Sequence, residues 1–189
     1  MNRRSLLLVP ALFWVAAATA LSPATDFDLK RYTGTWYEFA SIPGFLQSKC
    51  ARDTQSEYSP AENGALAVIT RCMRGDGTAE TRESRTRPLE ASVPAVLRVT
   101  AVKFLGIWWY PLGRESIVIA FDPDYRWIAL GHPSLRYARI LSRTPTLADD
   151  AAKSAAAALA AHHFDLCALV TTAQSAGRAA PSRLCDIVK

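Results

Sequence analysis

Residues 54–73 read TQSEYSPAENGALAVITRCM. Asn63-Gly64 lies between two β-prone runs, 54–59 and 65–73, and the tight turn that joins such runs needs positive φ at both central positions, which Asn and Gly adopt at least cost. The stretch is therefore a hairpin. Outward from it the pattern repeats in both directions: short β-prone runs at 33–41, 79–86, 96–104, 116–121, 127–131 and 137–143 are separated by turn residues at the roughly 8 to 12 residue spacing of an antiparallel sandwich or barrel. Gly75-Asp76-Gly77 and Asp122-Pro123-Asp124 punctuate two of the connections. The chain up to residue 143 is all-β.

Beyond it the organisation changes. Residues 146–163 are rich in alanine, and Asp149 follows Thr146 at the spacing of a capping box, which predicts a helix of about four turns capped by Thr146. Its bulky apolar residues are few, which suits a helix lying on the outside of a barrel. Residues 166–172 read as a ninth short strand, and 173–183 as a polar, mobile tail ending near Cys185.

At the other terminus, Arg3 and Arg4, an apolar run over 6–18 and Ala18-Thr19-Ala20 form an export signal over residues 1–20. The run is short for a membrane span. The expected organisation is a cleaved signal (1–20), one domain (21–172) and a disulfide-tethered tail (173–189), in an exported, periplasmic protein that could associate with the outer membrane. No cysteine directly follows the cleavage site, so no lipid-modified N-terminus is expected. The chain of 189 residues carries 22 Lys and Arg against 17 Asp and Glu; losing Arg3 and Arg4 lowers its net charge from +5 to +3, with mixed signs and no basic stripe, which argues against nucleic acid. Cys50, Cys72, Cys167 and Cys185, an even number in an exported chain, predict two disulfides. They are not clustered, and His132, His162 and His163 show no ligand spacing with them, so no metal site is expected. Cys50 with Cys72 and Cys167 with Cys185 is one pairing; Cys50 with Cys185 and Cys72 with Cys167 is the other.

If the strands run up and down, parity brings Trp36, the turn at 122–125 and Arg143 to one end. The loops at 42–53 and 105–115 fall at the opposite end. Those loops are unusually apolar: Ile42-Pro43-Gly44-Phe45-Leu46 and Leu105-Gly106-Ile107-Trp108-Trp109-Tyr110. Exposed apolar patches mark interaction sites, so Trp108, Trp109 and Tyr110 are candidates for contact with a membrane surface or a second subunit, or for a lid on the rim.

Gly34-Thr35-Trp36-Tyr37-Glu38, Phe121-Asp122-Pro123-Asp124-Tyr125 and Ile140-Leu141-Ser142-Arg143-Thr144-Pro145 resemble, in order and spacing, the three signatures of the lipocalins, and their wording is similar to the bacterial lipocalin (Blc) and apolipoprotein D-like branch. The resemblance covers residues 27–172. It implies an eight-stranded antiparallel up-and-down β-barrel, a cup closed at one end, with a C-terminal helix and a short ninth strand. Gly34, Trp36, Asp122, Tyr125 and Arg143 are then family positions that hold the fold, with Arg143 over a buried Trp36 plugging the closed end by a cation–π contact. Tail cysteines in many lipocalins tie the tail to the barrel, which favours the second disulfide pairing, while the loop positions favour the first.

An eight-stranded barrel can hold one small ligand. Taking Trp36 as inward and counting by two assigns Glu38 and Ala40 to the same face; the other walls are expected to present Tyr58, Leu66, Val68, Thr70, Leu97, Val99, Val118, Ala120, Trp127 and Ala129. Arg139, at a position where this branch often has Trp, shares the parity of Arg143. Buried, its guanidinium needs an anion: Glu38 from the neighbouring first strand, or the carboxylate or phosphate of a lipid. Burying ten methylenes at about 0.8 kcal/mol each and deducting the ordering cost predicts micromolar affinity for an acyl chain.

The resemblance thus implies a non-enzymatic carrier of fatty acids or lysophospholipids that requires no cofactor and serves envelope maintenance. The competing expectations are a lipid or carotenoid isomerase on the same fold and a carrier of haem or a siderophore. The residues offer no Ser/His/Asp or Cys/His arrangement for catalysis. Only Arg139 qualifies among the inward cations a siderophore would want.

Overall fold

The computed structural model describes residues 21–44 and 49–189. The export signal expected over 1–20, and Phe45 and Leu46 of the first loop, lie outside the described residues. The hairpin at 54–73 forms as read: β2 (Arg52–Pro60) and β3 (Leu66–Met73) are joined through Asn63 (φ 55°) and Gly64 (φ 70°), and the Ala65 N–H donates to the Glu62 carbonyl at 3.1 Å. The same construction continues through β1 (Gly34–Ser41), β4 (Ala79–Pro88), β5 (Val96–Thr100), β8 (Arg114–Phe121), β9 (Trp127–Gly131) and β10 (Ala138–Ser142). All neighbours are antiparallel, and β10 pairs with β1 to close the barrel. After the helix α1 (Asp149–Ala161), a short strand β11 (Val170–Thr171) adds to the end of β1.

Four expectations are corrected. The run 96–104 is not one strand: β5 stops at Thr100, whose hydroxyl donates to the Trp109 carbonyl at 2.9 Å, and the chain leaves the wall as a separate two-stranded ribbon, β6 (Lys103–Phe104) and β7 (Ile107–Trp108). The ribbon exists because Leu105 (φ 48°) and Gly106 (φ 82°) make a tight turn there. As a result the first half of β4, Ala79 to Ser84, pairs with β3 only.

The helix begins two residues later than the capping box implied, with its N-cap at Ala148 and not Thr146. The Thr146 carbonyl is held by the hydroxyls of Thr144 (2.6 Å) and Ser142 (3.3 Å), and Ala148 occupies the N-cap with no side-chain cap. Asp149 and Asp150 in the first turn complement the helix dipole instead. The ninth strand is two residues, because 166–168 form a turn. The tail, read as mobile, is packed. Gln174 donates its amide to the carbonyls of Glu38 (3.2 Å) and Thr54 (3.1 Å), and Ser175 bonds Asp53. The final turn α2 (Leu184–Ile187) buries Leu184 completely. The disulfides are Cys50–Cys72 and Cys167–Cys185.

Two cores result. One gathers Trp36, Tyr32, Tyr58, Leu66, Val68, Leu97, Val118, Ile128, Leu130 and Leu141 on the inner face of the closed half of the barrel. The other lies outside, where Ala152, Ala155, Ala156 and Leu159 of α1 pack on Ile117, Ile119, Trp127 and Ala129. The small alanines let the helix axis approach the sheet closely, at the outside position that its lack of bulky residues suggested.

Candidate functional site: the barrel interior

At the closed end Trp36 is fully buried, and its indole N–H donates to the Tyr32 carbonyl at 2.8 Å. The Arg143 guanidinium lies 3.8 Å from its ring centroid and donates to the carbonyls of Arg31 (2.6 Å), Thr35 (3.1 Å) and Tyr125 (3.3 Å). One cation therefore ties the segment before β1, β1 itself and the β8–β9 turn together. Asp122 caps that turn by accepting from the Asp124 N–H and the Arg126 side chain; the Arg126 hydrogen bonds hold its carboxyl below the ordinary value. A Cβ on Gly34, which has φ 93°, would come within 3.2 Å of the Arg143 guanidinium.

Cross-strand register settles which residues face the cavity. Directly opposed residues share a face, and the pairs Tyr58 with Val68, Ser56 with Thr70, Leu66 with Thr86, Thr86 with Val99, Leu97 with Ser116, Val118 with Leu130 and Leu130 with Arg139 link the inward set around the wall. Glu38, Tyr58, Leu66, Val68, Thr70, Leu97, Val99, Val118 and Arg139 are placed on this inner face. Ala40, Ala120, Trp127 and Ala129 are not.

The reasons differ. In β1 the pairing with β10 shifts between Glu38 and Ala40, so Phe39 is a bulge residue and Ser41 replaces Ala40 on the inside. In β8 the shift falls between Val118 and Ala120 and turns Ala120 outward. In β9 every residue is buried, Ile128 and Leu130 inside and Trp127 and Ala129 under α1, so alternation carried no signal. Ile128 and Leu130 were missed for that reason; Leu141 of β10, which opposes Glu38 and Ile128, is a further inward residue not singled out from the sequence.

Above the apolar floor the interior turns polar. Arg139 and Glu38 meet as expected from their neighbouring strands: Arg139 Nε donates to Glu38 Oε2 at 2.7 Å and Nη2 completes the ion pair. Glu38 Oε1 also accepts from Thr172 (2.8 Å) and Ser41 (3.1 Å). Burial pushes the Glu38 carboxyl up, but the Arg139 charge and the hydrogen bonds from Thr172, Arg139 and Ser41 outweigh it and hold the group below the ordinary carboxylate value. The Arg139 side chain keeps 16% of its surface exposed, against 5% for Glu38, so the guanidinium is the more accessible of the two. Ser56 and Thr70 hydrogen-bond each other nearby at 2.8 Å, and the buried Thr86 hydroxyl has no partner among the described residues.

A cleft of about 130 Å³ lies between the end of β1, the loop at Cys50 and Ala51, and the tail at 170–173, and reaches Glu38, Ser41 and Thr54. It is far smaller than the roughly 300–1,000 Å³ of sites for drug-sized ligands, and suits a head group or a few waters. A larger cleft, about 450 Å³, lies outside the wall between Phe39, the segment before α1 and the tail. Among the described residues no cluster of His, Cys, Asp and Glu is arranged to hold a metal ion. Of the three rim aromatics, Trp108 lies under Arg85 and Tyr110 under Arg87, both half-buried, and only Trp109 is exposed.

A closed eight-stranded barrel, corked by an indole under an arginine and flanked by one helix, narrows the choice of family, and the lipocalin-like domain model matches residues 27–174. The chain belongs to the lipocalins. This lipocalin is 32% identical over 163 residues to the outer membrane lipoprotein Blc of Escherichia coli (strain K12), covering 82% of this chain and 88% of that one. It is also 32% identical over 129 residues to apolipoprotein D of Macaca fascicularis, covering 61% and 67%. Insecticyanin from the tobacco hornworm superposes with a TM-score of 0.63 at 20% identity over 80% of this chain and 83% of that one, a likeness of fold.

Proposed function

We propose that this lipocalin is a non-enzymatic carrier of single-chain lipids, fatty acids or lysophospholipids, held with the acyl chain toward the Trp36 floor and the acidic head group at Arg139. The observation that carries the reading is the division of the interior. Leu66, Val68, Leu97, Val118 and Leu130 line the closed half, and above them stands a cation whose partner, Glu38, is itself held by Thr172 and Ser41. A ligand carboxylate or phosphate accepts from the Arg139 donors that Glu38 leaves open, and Glu38 keeps its hydroxyl partners. The Thr86 hydroxyl is available to a glycerol or ester oxygen.

Register corrects the expectation that Arg139 is the one inward cation, since Arg82 opposes Thr70 and Arg114 opposes Val99 on the same face; Arg82 is paired with Glu80 and Arg114 is exposed, so they do not form with Arg139 the cluster a siderophore needs. The similarity to an outer membrane lipoprotein supports export and a role at the envelope.

The test is a titration of delipidated protein with a fatty acid and with its neutral alcohol. The expected affinity for the acid is micromolar. Arg139→Ala is expected to weaken the acid by about tenfold or more, the worth of a charge-assisted hydrogen bond, and the alcohol much less. Equal losses, or no binding of either by the wild type, overturn the reading.

A further inference from the structure

The β6–β7 ribbon is where local sequence and fold disagree. Its turn places Leu105 in the left-handed region, at φ 48°, where Asn or Asp is cheaper, and then leaves the side chain 85% exposed. The backbone cost is compensated by no burial.

The two faces of the ribbon differ completely. Lys103 opposes Trp108 on one face, where Arg85 lies 4.7 Å and the Lys103 ammonium 5.3 Å from the indole centroid, and Arg87 lies 4.1 Å over Tyr110 beyond it. Phe104 opposes Ile107 on the other, joined by Val102 and Trp109, whose backbones bond at 2.9 Å. This second face is bare, with Phe104 64%, Ile107 73% and Trp109 50% exposed. A two-stranded ribbon is marginal alone, and this one is held from its cationic side with its apolar side unpartnered.

We propose that this face docks on a lipid bilayer carrying anionic head groups, with the Leu105 tip and Ile107 entering the acyl boundary. Charge selects that occupant. From Ala91 to Arg114 the sequence contains no Asp or Glu; Arg85, Arg87 and Lys103 stand over the aromatics of the ribbon and its continuation, and Arg98 opposes Arg87 on the neighbouring strand, with Glu115 opposite Arg98. Along the ribbon these cations lie behind the Leu105 tip, so the apolar face of a second copy would leave them without a counter-charge. A bilayer sets them against phosphates while Trp109 takes the interfacial depth that indoles favour. The ribbon also leaves the wall beside the stretch of β4 that lacks a β5 partner, so docking would bring the open end toward the membrane. The proposal goes beyond the carrier reading and holds whatever the barrel binds.

The experiment is flotation of the full chain with vesicles of phosphatidylglycerol and phosphatidylethanolamine in equal parts, against phosphatidylcholine alone. Wild type is expected to float with the anionic vesicles, less so as salt rises. Leu105→Asn restores a favoured Asn-Gly turn, so it keeps the ribbon, and with Ile107→Ser it is expected to lower partitioning roughly tenfold or more at an unchanged thermal midpoint. The same variants should bind a soluble short-chain fatty acid as wild type does, which separates this proposal from the interior site. Leu105→Asn alone covers the case in which the double variant unfolds. Flotation of the variants equal to wild type overturns the proposal, as does no flotation at all, or a wild-type dimer by ultracentrifugation that the variants convert to monomer without vesicle binding.

Discussion

Glu38 shows how one residue can serve both packing and recognition. Its carboxylate is nearly inaccessible, pairs with Arg139 and accepts from Thr172 and Ser41. Removing the charge alone strands the guanidinium, and breaking a buried pair in this way costs about 3–5 kcal/mol. Glu38→Gln is therefore expected to lower stability by an amount of that order in urea unfolding, and Glu38→Leu with Arg139→Met to recover much of it. The pH dependence has a definite sign. Because the folded carboxyl is held below its ordinary value of about 4.3, the stability it contributes is complete above that pH and is lost as the pH falls through the lower folded value. Glu38→Gln should flatten the acid limb of a stability–pH curve; an unchanged limb means that the pair does not govern it.

At the scale of elements, the bulges matter most. A bulge adds one residue to one strand and reverses the faces beyond it, which is why Ala40 and Ala120 moved from the inner wall to the outer while Glu38 and Val118 stayed. The bulge in β1 also brings the Ser41 hydroxyl within hydrogen-bond reach of Glu38. The packing of α1 is equally specific, since Ala155 is fully buried in the outer core that the helix forms on β8 and β9. Ala155→Leu leaves no room and is expected to cost about 1–3 kcal/mol by overpacking, read as a lower urea midpoint, with fatty-acid affinity unchanged because the helix lies outside the wall. A variant as stable as wild type would show that the helix is free to lift from the barrel.

For the molecule as a whole, the barrel's corked end and open end do different work. Arg143 and Trp36 fix the strands at one end, while the other carries the polar pair, the tail and the bare ribbon. A ligand that binds only the folded state stabilises it by about 2.7 kcal/mol at a free concentration one hundred times its dissociation constant. Fatty acid at that excess is expected to raise the thermal midpoint of the delipidated protein by roughly 5–10 °C. A midpoint indifferent to fatty acid would mean that the closed half is a solid core and that lipids are held elsewhere, the cleft outside β1 being the next place to look.

What could be read from the chain itself follows from local causes. Positive φ at Asn63 and Gly64 made the hairpin, turn spacing made the strand series, and strand parity brought Trp36, Tyr125 and Arg143 to one end, because each is fixed by residues close in sequence. Arg139 and Glu38 could be paired in advance because closure of an up-and-down barrel makes the first and eighth strands neighbours. The rest required tertiary structure. The bulge in β1 arises from pairing with a strand a hundred residues away and that in β8 from the register with β9, β9 buries both its faces and so shows no alternation, and the tail is held by carbonyls of Glu38 and Thr54 that nothing near Gln174 announces. A side chain's type is local, but the face it takes depends on the partner strand.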